Sequence, residues 1–332
     1  MKKVRIAING FGRIGRLVLR AALESNRRDL EFVAINDLAP ISQNAHLLQY
    51  DSVHGKLPMD VKTDGDYIIV GNQKIKCLSE REPEKLPWKK LKVDIVMECT
   101  GIFTAADRAR VHLGAGAKRV LVSAPSAGAD KTIVFGVNEK TLKKTDLIVS
   151  NASCTTNCLA PVANVLNKKF GIKNAWMTTV HAYTGDQQLL DKTHKDLRRA
   201  RAATMSMIPT TTGAARAIGL VLPELAGKMD GIAIRVPTPD VSVVELVANV
   251  EHATSVDKVN AAMRRAESEI LGFNDNPLVS IDFTHDAHSA IFDATQTQVI
   301  DGNLVHITAW YDNEWGFSNR MCDTAAAMGK LI

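Results

Sequence analysis

The chain has 332 residues, long enough to divide into two hydrophobic cores. Its 45% hydrophobic and 23% charged residues, with a net charge of +5, exclude a disordered, fibrous or strongly polyanionic chain. No apolar run approaches the roughly 20 residues of a membrane span, and "MKKVRIAING" passes straight into a glycine-rich turn instead of a signal-peptide core, so a cytoplasmic protein is expected.

In chain order, "VRIAIN" reads as a buried strand and "RIGRLVLRAALES" as an amphipathic helix. "LEFVAIND" is a second strand ending in Asp37, and "DYIIV" and "KIKCL", either side of "GNQ", form a hairpin. "VDIVMECTG", "KRVLVSAP", "TIVFG" and "LIVS" are further buried strands, with a helix over "AADRARVHLGAGA". Apolar strands linked by helices predict a mostly parallel sheet with helices on both faces over residues 1–150. Beyond it, "KNAWMTTVHAYT", "GIAIRVPTP", "DVSVVELVANVE" and "NLVHITAWYD" alternate polar and apolar residues, and "VDKVNAAMRRAESE" is helical. This predicts a second, α+β domain with a mostly antiparallel sheet over 151–315. The final helix, 316–332, is expected to pack back on the first domain. With no linker between them, the two domains should share a ligand-bearing cleft.

Gly10, Gly12 and Gly15 form G-x-G-x-x-G, a weak signal alone. Here it follows a strand, opens a helix, and precedes the strand-closing acid Asp37 by 37 − 15 = 22 residues. Gly10 would allow the tight turn, Gly12 the approach of a pyrophosphate, and Gly15 close helix–strand packing. Asp37 would accept hydrogen bonds from ribose hydroxyls, which favours NAD over NADP. A turn or N-cap role is the plainer alternative for Asp37.

The five cysteines are odd in number and irregularly spaced, against a disulfide framework, and no second Cys/His pair supports zinc. Cys77, Cys99 and Cys322 lie in apolar patterns and read as buried small residues. Cys154 in "NASCTTNCL" opens a helical segment, where unpaired N–H groups stabilise a thiolate. Cys158, one turn on, should point toward packing, and Pro161 should kink the helix. Among nine histidines, His181 is the best partner for Cys154, standing at a strand end between Thr179, Tyr183 and Thr184. A histidine so placed is more often merely satisfied, so the pairing needs the fold to bring the two together. A dinucleotide and a cysteine together imply aldehyde oxidation through a thiohemiacetal, with His181 taking the hydroxyl proton. A cysteine hydrolase is the rival chemistry, but it leaves the nucleotide motif without a use.

"INGFGRIGR", "NASCTTNCLAP", "HAYTGDQ", "HKDLRRARAA", "IPTTTGAA", "RVPTP" and "WYDNEWGFS" occur in order from residue 8 to 318. Together they resemble phosphorylating glyceraldehyde-3-phosphate dehydrogenase. The resemblance implies a Rossmann-type parallel sheet domain, an α+β catalytic domain with a mostly antiparallel sheet, and a homotetramer that uses NAD, glyceraldehyde 3-phosphate and inorganic phosphate, with Cys154 as nucleophile and His181 as its partner. It implies substrate-phosphate binding by Thr184, Asp186 and Arg235, and inorganic-phosphate binding by Ser153, Thr155, Thr212 and Gly213. The cofactor would meet Gly10, Phe11, Gly12, Arg13, Ile14, Gly15, Asp37, Arg81, Thr100, Ser123 and Asn313. No metal and no nucleic acid are expected.

Two departures stand out. NAD-restricted members usually carry Leu-Pro before the histidine of "HKDLRRARAA", where this chain has Lys192 and Thr193, so some NADP use is expected beside NAD. Phe317 replaces a common tyrosine, which removes a hydroxyl and keeps the ring. The rival readings are an erythrose-4-phosphate dehydrogenase and, in another class, a non-catalytic nucleic-acid role through Arg198, Arg199 and Arg201.

Overall fold

A computed structural model describes residues 3–332, so Met1 and Lys2, ahead of the first strand, lie outside the described residues. The chain divides into one unit of Met1–Ser153 with Ser318–Ile332 and a second of Cys154–Phe317.

In the first unit the apolar runs become β1 (Val4–Asn9), β2 (Leu30–Asn36), β5 (Val61–Asp64), β6 (Tyr67–Val70), β7 (Gln73–Leu78), β8 (Ile95–Glu98), β9 (Arg119–Val122), β10 (Lys131–Thr132) and β11 (Ile148–Ser150). They form one sheet in the order β10-β11-β9-β8-β1-β2-β7-β6-β5. All its pairings are parallel except β5–β6 and β6–β7, the hairpin edge. A separate small ribbon joins β3 (Tyr50–Asp51) and β4 (Gly55–Lys56). Every residue of β8 and β9 is buried, as in strands covered on both faces. Helices α1 (Arg13–Glu24), α2 (Ile41–Gln49), α3 (Ala106–Ala109) and α4 (Val111–Gly114) connect them.

Two expectations change here. The helix over "AADRARVHLGAGA" splits at Arg110, although that residue keeps helical angles (φ −57°, ψ −23°). "TIVFG" pairs only at Lys131–Thr132. The Asn138 side chain then bonds Val134 N–H and the Thr132 carbonyl, which turns the backbone out of the ladder.

In the second unit the sheet order is β13 (Ile208–Thr211), β14 (Met229–Val236), β12 (Ile172–Ala182), β15 (Ser242–Val250), β18 (Leu304–Tyr311), β17 (Ala290–Ile300) and β16 (Leu271–Asn274). Pairing is antiparallel except β12–β14 and β16–β17. The fold class is therefore a parallel-sheet α/β domain with an α+β domain on a mainly antiparallel sheet. The sequence pattern missed β13, β16 and β17. β13 carries Pro209 and lies at the sheet edge, where a missing N–H is tolerated, and β17 is largely polar in its second half.

Helices α5 (Cys154–Phe170), α6 (Ala214–Ala217) and α7 (Val256–Arg265) pack against this sheet. α5 runs through Pro161 as one helix, with the ring buried in the core. Burial on several sides offsets the roughly 3 kcal/mol that an interior proline costs. α8 (Trp315–Gly329) ends the chain. From Ser318 onward it belongs to the first unit, where Asp323 pairs with Arg27 and the Thr324 hydroxyl donates to Asn151. No helix among the described residues is long and apolar enough to cross a membrane.

Candidate active site

The carboxyl ends of β1, β2 and β8 carry the nucleotide motif, the end of an open parallel sheet where ligands bind. β1 lies between β2 and β8, so the glycine turn leaves the sheet where its strand order reverses. Gly10 has φ +90°, and a Cβ there would lie 2.6 Å from Thr100 N; a Cβ on Gly15 would lie 2.2 Å from the Gly10 carbonyl. A Cβ on Gly12 would meet nothing within 4 Å, so this turn is open on that side, with room for a pyrophosphate. A cavity of about 510 Å³ opens here, lined by Gly10, Gly12, Asp37, Arg81, Thr100 and Phe103 among others.

Asp37 accepts from Phe11 N at 2.8 Å and from Ala39 N at 2.9 Å, one bond per carboxylate oxygen. Each oxygen keeps capacity for a ribose hydroxyl. Phe11 buries its ring and so contributes backbone alone. Arg13 gives its guanidinium to Asp51 at 2.6 Å, and Ile14 and Ser123 are half-buried near the same strand ends. A larger cavity, about 810 Å³, lies at the amino ends of β2 and β7 and contains none of the motif residues.

In the second unit Cys154 heads α5, just after Ala152 takes a left-handed φ of +57°. Cys154 Sγ lies 3.4 Å from His181 Nε2. The parallel register of β12 and β14 sets His181 directly opposite Arg235. His181 Nδ1 is 2.7 Å from the Ala182 carbonyl and 3.0 Å from Arg235 Nη1, which also donates to that carbonyl at 3.1 Å and to Thr184 Oγ1 at 3.4 Å.

Burial and then the Arg235 charge push His181 down to about 3, so its imidazole is neutral. Burial also raises the Cys154 thiol above its ordinary value, opposed by the Arg235 charge and by hydrogen bonds from Thr155 and the backbone. The thiolate-favouring effect expected of the helix start is therefore present but outweighed. The resting pair is a thiol beside a neutral base.

Asp186 is held by Arg199 at 2.7 Å and by His194 at 3.5 Å, while Arg199 Nε donates to Thr210. Asn313 Oδ1 accepts from the Ser242 hydroxyl at 2.7 Å, and that oxygen accepts from Ala182 N. The Thr155 hydroxyl turns inward, 2.9 Å from the Tyr311 hydroxyl. Thr212 Oγ1 accepts from Ala214 N at 3.2 Å, and Gly213 is exposed ahead of the one-turn helix α6. Ser153 belongs to the first unit. Cys158 is fully buried and donates to the Ala309 carbonyl; its thiol is pushed up by burial.

Sequence reasoning missed Tyr311 and named Arg199 only for the rival nucleic-acid role. The Tyr311 hydroxyl links Thr155, beside the nucleophile, to Thr179 at 3.0 Å, and the ring meets His181 edge-on at 5.9 Å. Both residues lie inside quoted motifs, the only signal available for them.

Residues 4–106 match the family described as "Glyceraldehyde 3-phosphate dehydrogenase, NAD binding domain", and residues 153–313 match its C-terminal domain. The chain is 63% identical to the glyceraldehyde-3-phosphate dehydrogenase of Xanthobacter flavus and 60% identical to that of Cereibacter sphaeroides, covering 99% of each chain in both comparisons. It is 54% identical to glyceraldehyde-3-phosphate dehydrogenase 1 of Bacillus subtilis over 98% of each. With both halves matched at such identities, this chain belongs to the glyceraldehyde-3-phosphate dehydrogenase family.

Proposed function

We propose that the chain oxidises glyceraldehyde 3-phosphate and phosphorylates the product, with NAD as cofactor. The observation that carries this reading is the 3.4 Å approach of Cys154 Sγ to a neutral His181. Sγ adds to the aldehyde carbon as its proton passes to His181 Nε2, which returns it to the carbonyl oxygen and is left neutral, giving a thiohemiacetal. His181 takes the proton of the new hydroxyl as the carbon loses hydride, which leaves a thioester. The bound nicotinamide supplies the hydride acceptor. Inorganic phosphate then attacks the thioester carbon, the C–S bond breaks, and an acyl phosphate departs from Cys154.

Arg235 and Thr184 suit the substrate phosphate, since the guanidinium has donors beyond those fixed on His181 and Ala182. Asp186, itself an anion, acts by orienting Arg199. The attacking phosphate would meet Ser153, the Thr155 N–H, Thr212 and Gly213. The glycine turn, Asp37, Arg81 and Thr100 fit the dinucleotide, and Asn313, fixed by Ser242, fits its carboxamide. Asp37, turned to the pocket, opposes a 2′-phosphate, so NAD is preferred, with Lys192 and Thr193 allowing a lesser use of NADP.

A homotetramer is supported by the loop around residues 189–207, where Leu189, Leu190, Leu197, Met205 and Met207 are each more than 70% exposed, an apolar load that other copies would cover. Nicotinamide absorbance with glyceraldehyde 3-phosphate tests the activity. Turnover should require inorganic phosphate; phosphate-independent turnover of erythrose 4-phosphate would instead favour the tetrose enzyme.

A further inference from the structure

Glu98 closes β8 with a side chain wholly out of solvent. Its Oε2 accepts from Asn9 Nδ2 at 2.7 Å and from His112 Nε2 at 2.9 Å. Its Oε1 accepts from Thr100 N at 2.8 Å and from the Thr100 hydroxyl. Behind it, the buried Trp88 Nε1 donates to His112 Nδ1 at 3.1 Å, so the imidazole proton sits on Nε2 and points at Glu98. All four partners are donors. A carboxyl group this deep is expensive unless its acceptor sites are filled, and an apolar residue would continue the run Ile95-Val96-Met97 without that requirement.

Both arms of the cluster end at the dinucleotide cavity. On one side, the Thr100 hydroxyl also accepts from Ile102 N at 3.0 Å, closing a turn around Gly101, whose φ is +72°. The Gly10 turn rests directly on the Thr100 peptide, with no space for even a methyl group. On the other side, Asn9 Oδ1 accepts from Asn36 at 2.8 Å, and Asn36 exchanges bonds with the Glu80 backbone at 2.9 and 2.8 Å. Asn36, Glu80 and Thr100 all line the cavity.

We propose that Glu98 is a positioning residue for the dinucleotide, holding the Thr100 turn and the Asn36–Glu80 wall at the separation its ribose and diphosphate require. The inference rests on the reading that this cavity takes NAD. Glu98→Gln must present an amide donor to one of the two arms and so break it. Thr100→Val removes only the hydroxyl, and Thr100→Ser retains it. In the full-length enzyme, calorimetric Kd and KM for NAD should rise about ten-fold in Glu98→Gln and about three-fold in Thr100→Val.

Two measurements mark a positioning role: kcat of Glu98→Gln at saturating NAD stays within about two-fold of wild type, and iodoacetamide alkylates its Cys154 at the wild-type rate. An unchanged KM in Glu98→Gln and Thr100→Val, or a kcat that falls with the folded fraction seen by circular dichroism, overturns the role. An Asp37→Ala control separates the two claims. Unchanged NAD affinity there overturns the cavity assignment and this inference with it. Weaker binding there, with Glu98→Gln unmoved, overturns the role of Glu98 alone.

Discussion

The clusters around Glu98 and His181 are both buried and polar, yet they distribute hydrogen bonds in opposite ways. Around Glu98 each acceptor site has its own donor, and the proton on His112 has one possible address. Around His181, Nδ1, the Ala182 carbonyl and Arg235 Nη1 lie within 2.7 to 3.1 Å of one another. If Nδ1 donates to the carbonyl, Nε2 is a base facing Cys154; if Nδ1 accepts from Arg235, Nε2 carries the proton. A site that holds a ligand gains from having one arrangement. A site that moves protons needs two of similar energy.

The largest expected effect breaks the reactive side alone. Cys154→Ser should lower turnover by about 10⁴-fold or more while calorimetry finds NAD binding intact; activity within ten-fold of wild type would end the covalent mechanism. Next, Arg235→Gln should cost about 10²-fold in kcat/KM for the phosphorylated aldehyde. It should also move the midpoint of Cys154 alkylation to higher pH, because the lost cation was lowering the thiol.

On the holding side, Gly10→Ala forces a Cβ into the Thr100 backbone at positive φ. Urea unfolding should find it about 2–4 kcal/mol less stable. Tyr311→Phe strips a partner from both Thr155 and Thr179 and should lose about 2 kcal/mol, with a several-fold drop in kcat.

The smallest effect concerns acid. Unfolded, His181 binds a proton near 6.5; folded, it resists until about 3. Between those values the unfolded chain holds the extra proton, so stability rises with pH across that window. Wild type should lose about 1 kcal/mol more than His181→Asn between pH 7 and 5.5, and parallel stability–pH curves would contradict the assigned shift.

How much of this was legible depends on how local the chemistry is. The glycine turn and Asp37 are short-range features with their own spacing, so the sequence exposes them. Cys154 and His181 were recognisable as types, but their contact spans 27 residues and needed the packing of α5 on the sheet. Arg235 lies 54 residues from His181 and reached the site through resemblance alone. Glu98 sits in an apolar run that reads only as a strand, because a buried acceptor with donors 2 to 89 residues away leaves no local pattern. "TIVFG" misled for the opposite reason: Ile133 and Val134 are buried, but beyond the Ile133 N–H bond to Ser150 the backbone is satisfied by Asn138 instead of a neighbouring strand.

The pairing of His181 with Arg235 across β12 and β14 has a consequence for biogenesis. Sliding one strand by a single residue would send one of the two side chains to the opposite face of the sheet. A nascent or partly misfolded chain therefore carries an ordinary cysteine and a stray arginine. Reactivity toward aldehydes should switch on together with correct strand alignment, making the thiol's own chemistry a reporter of folding quality.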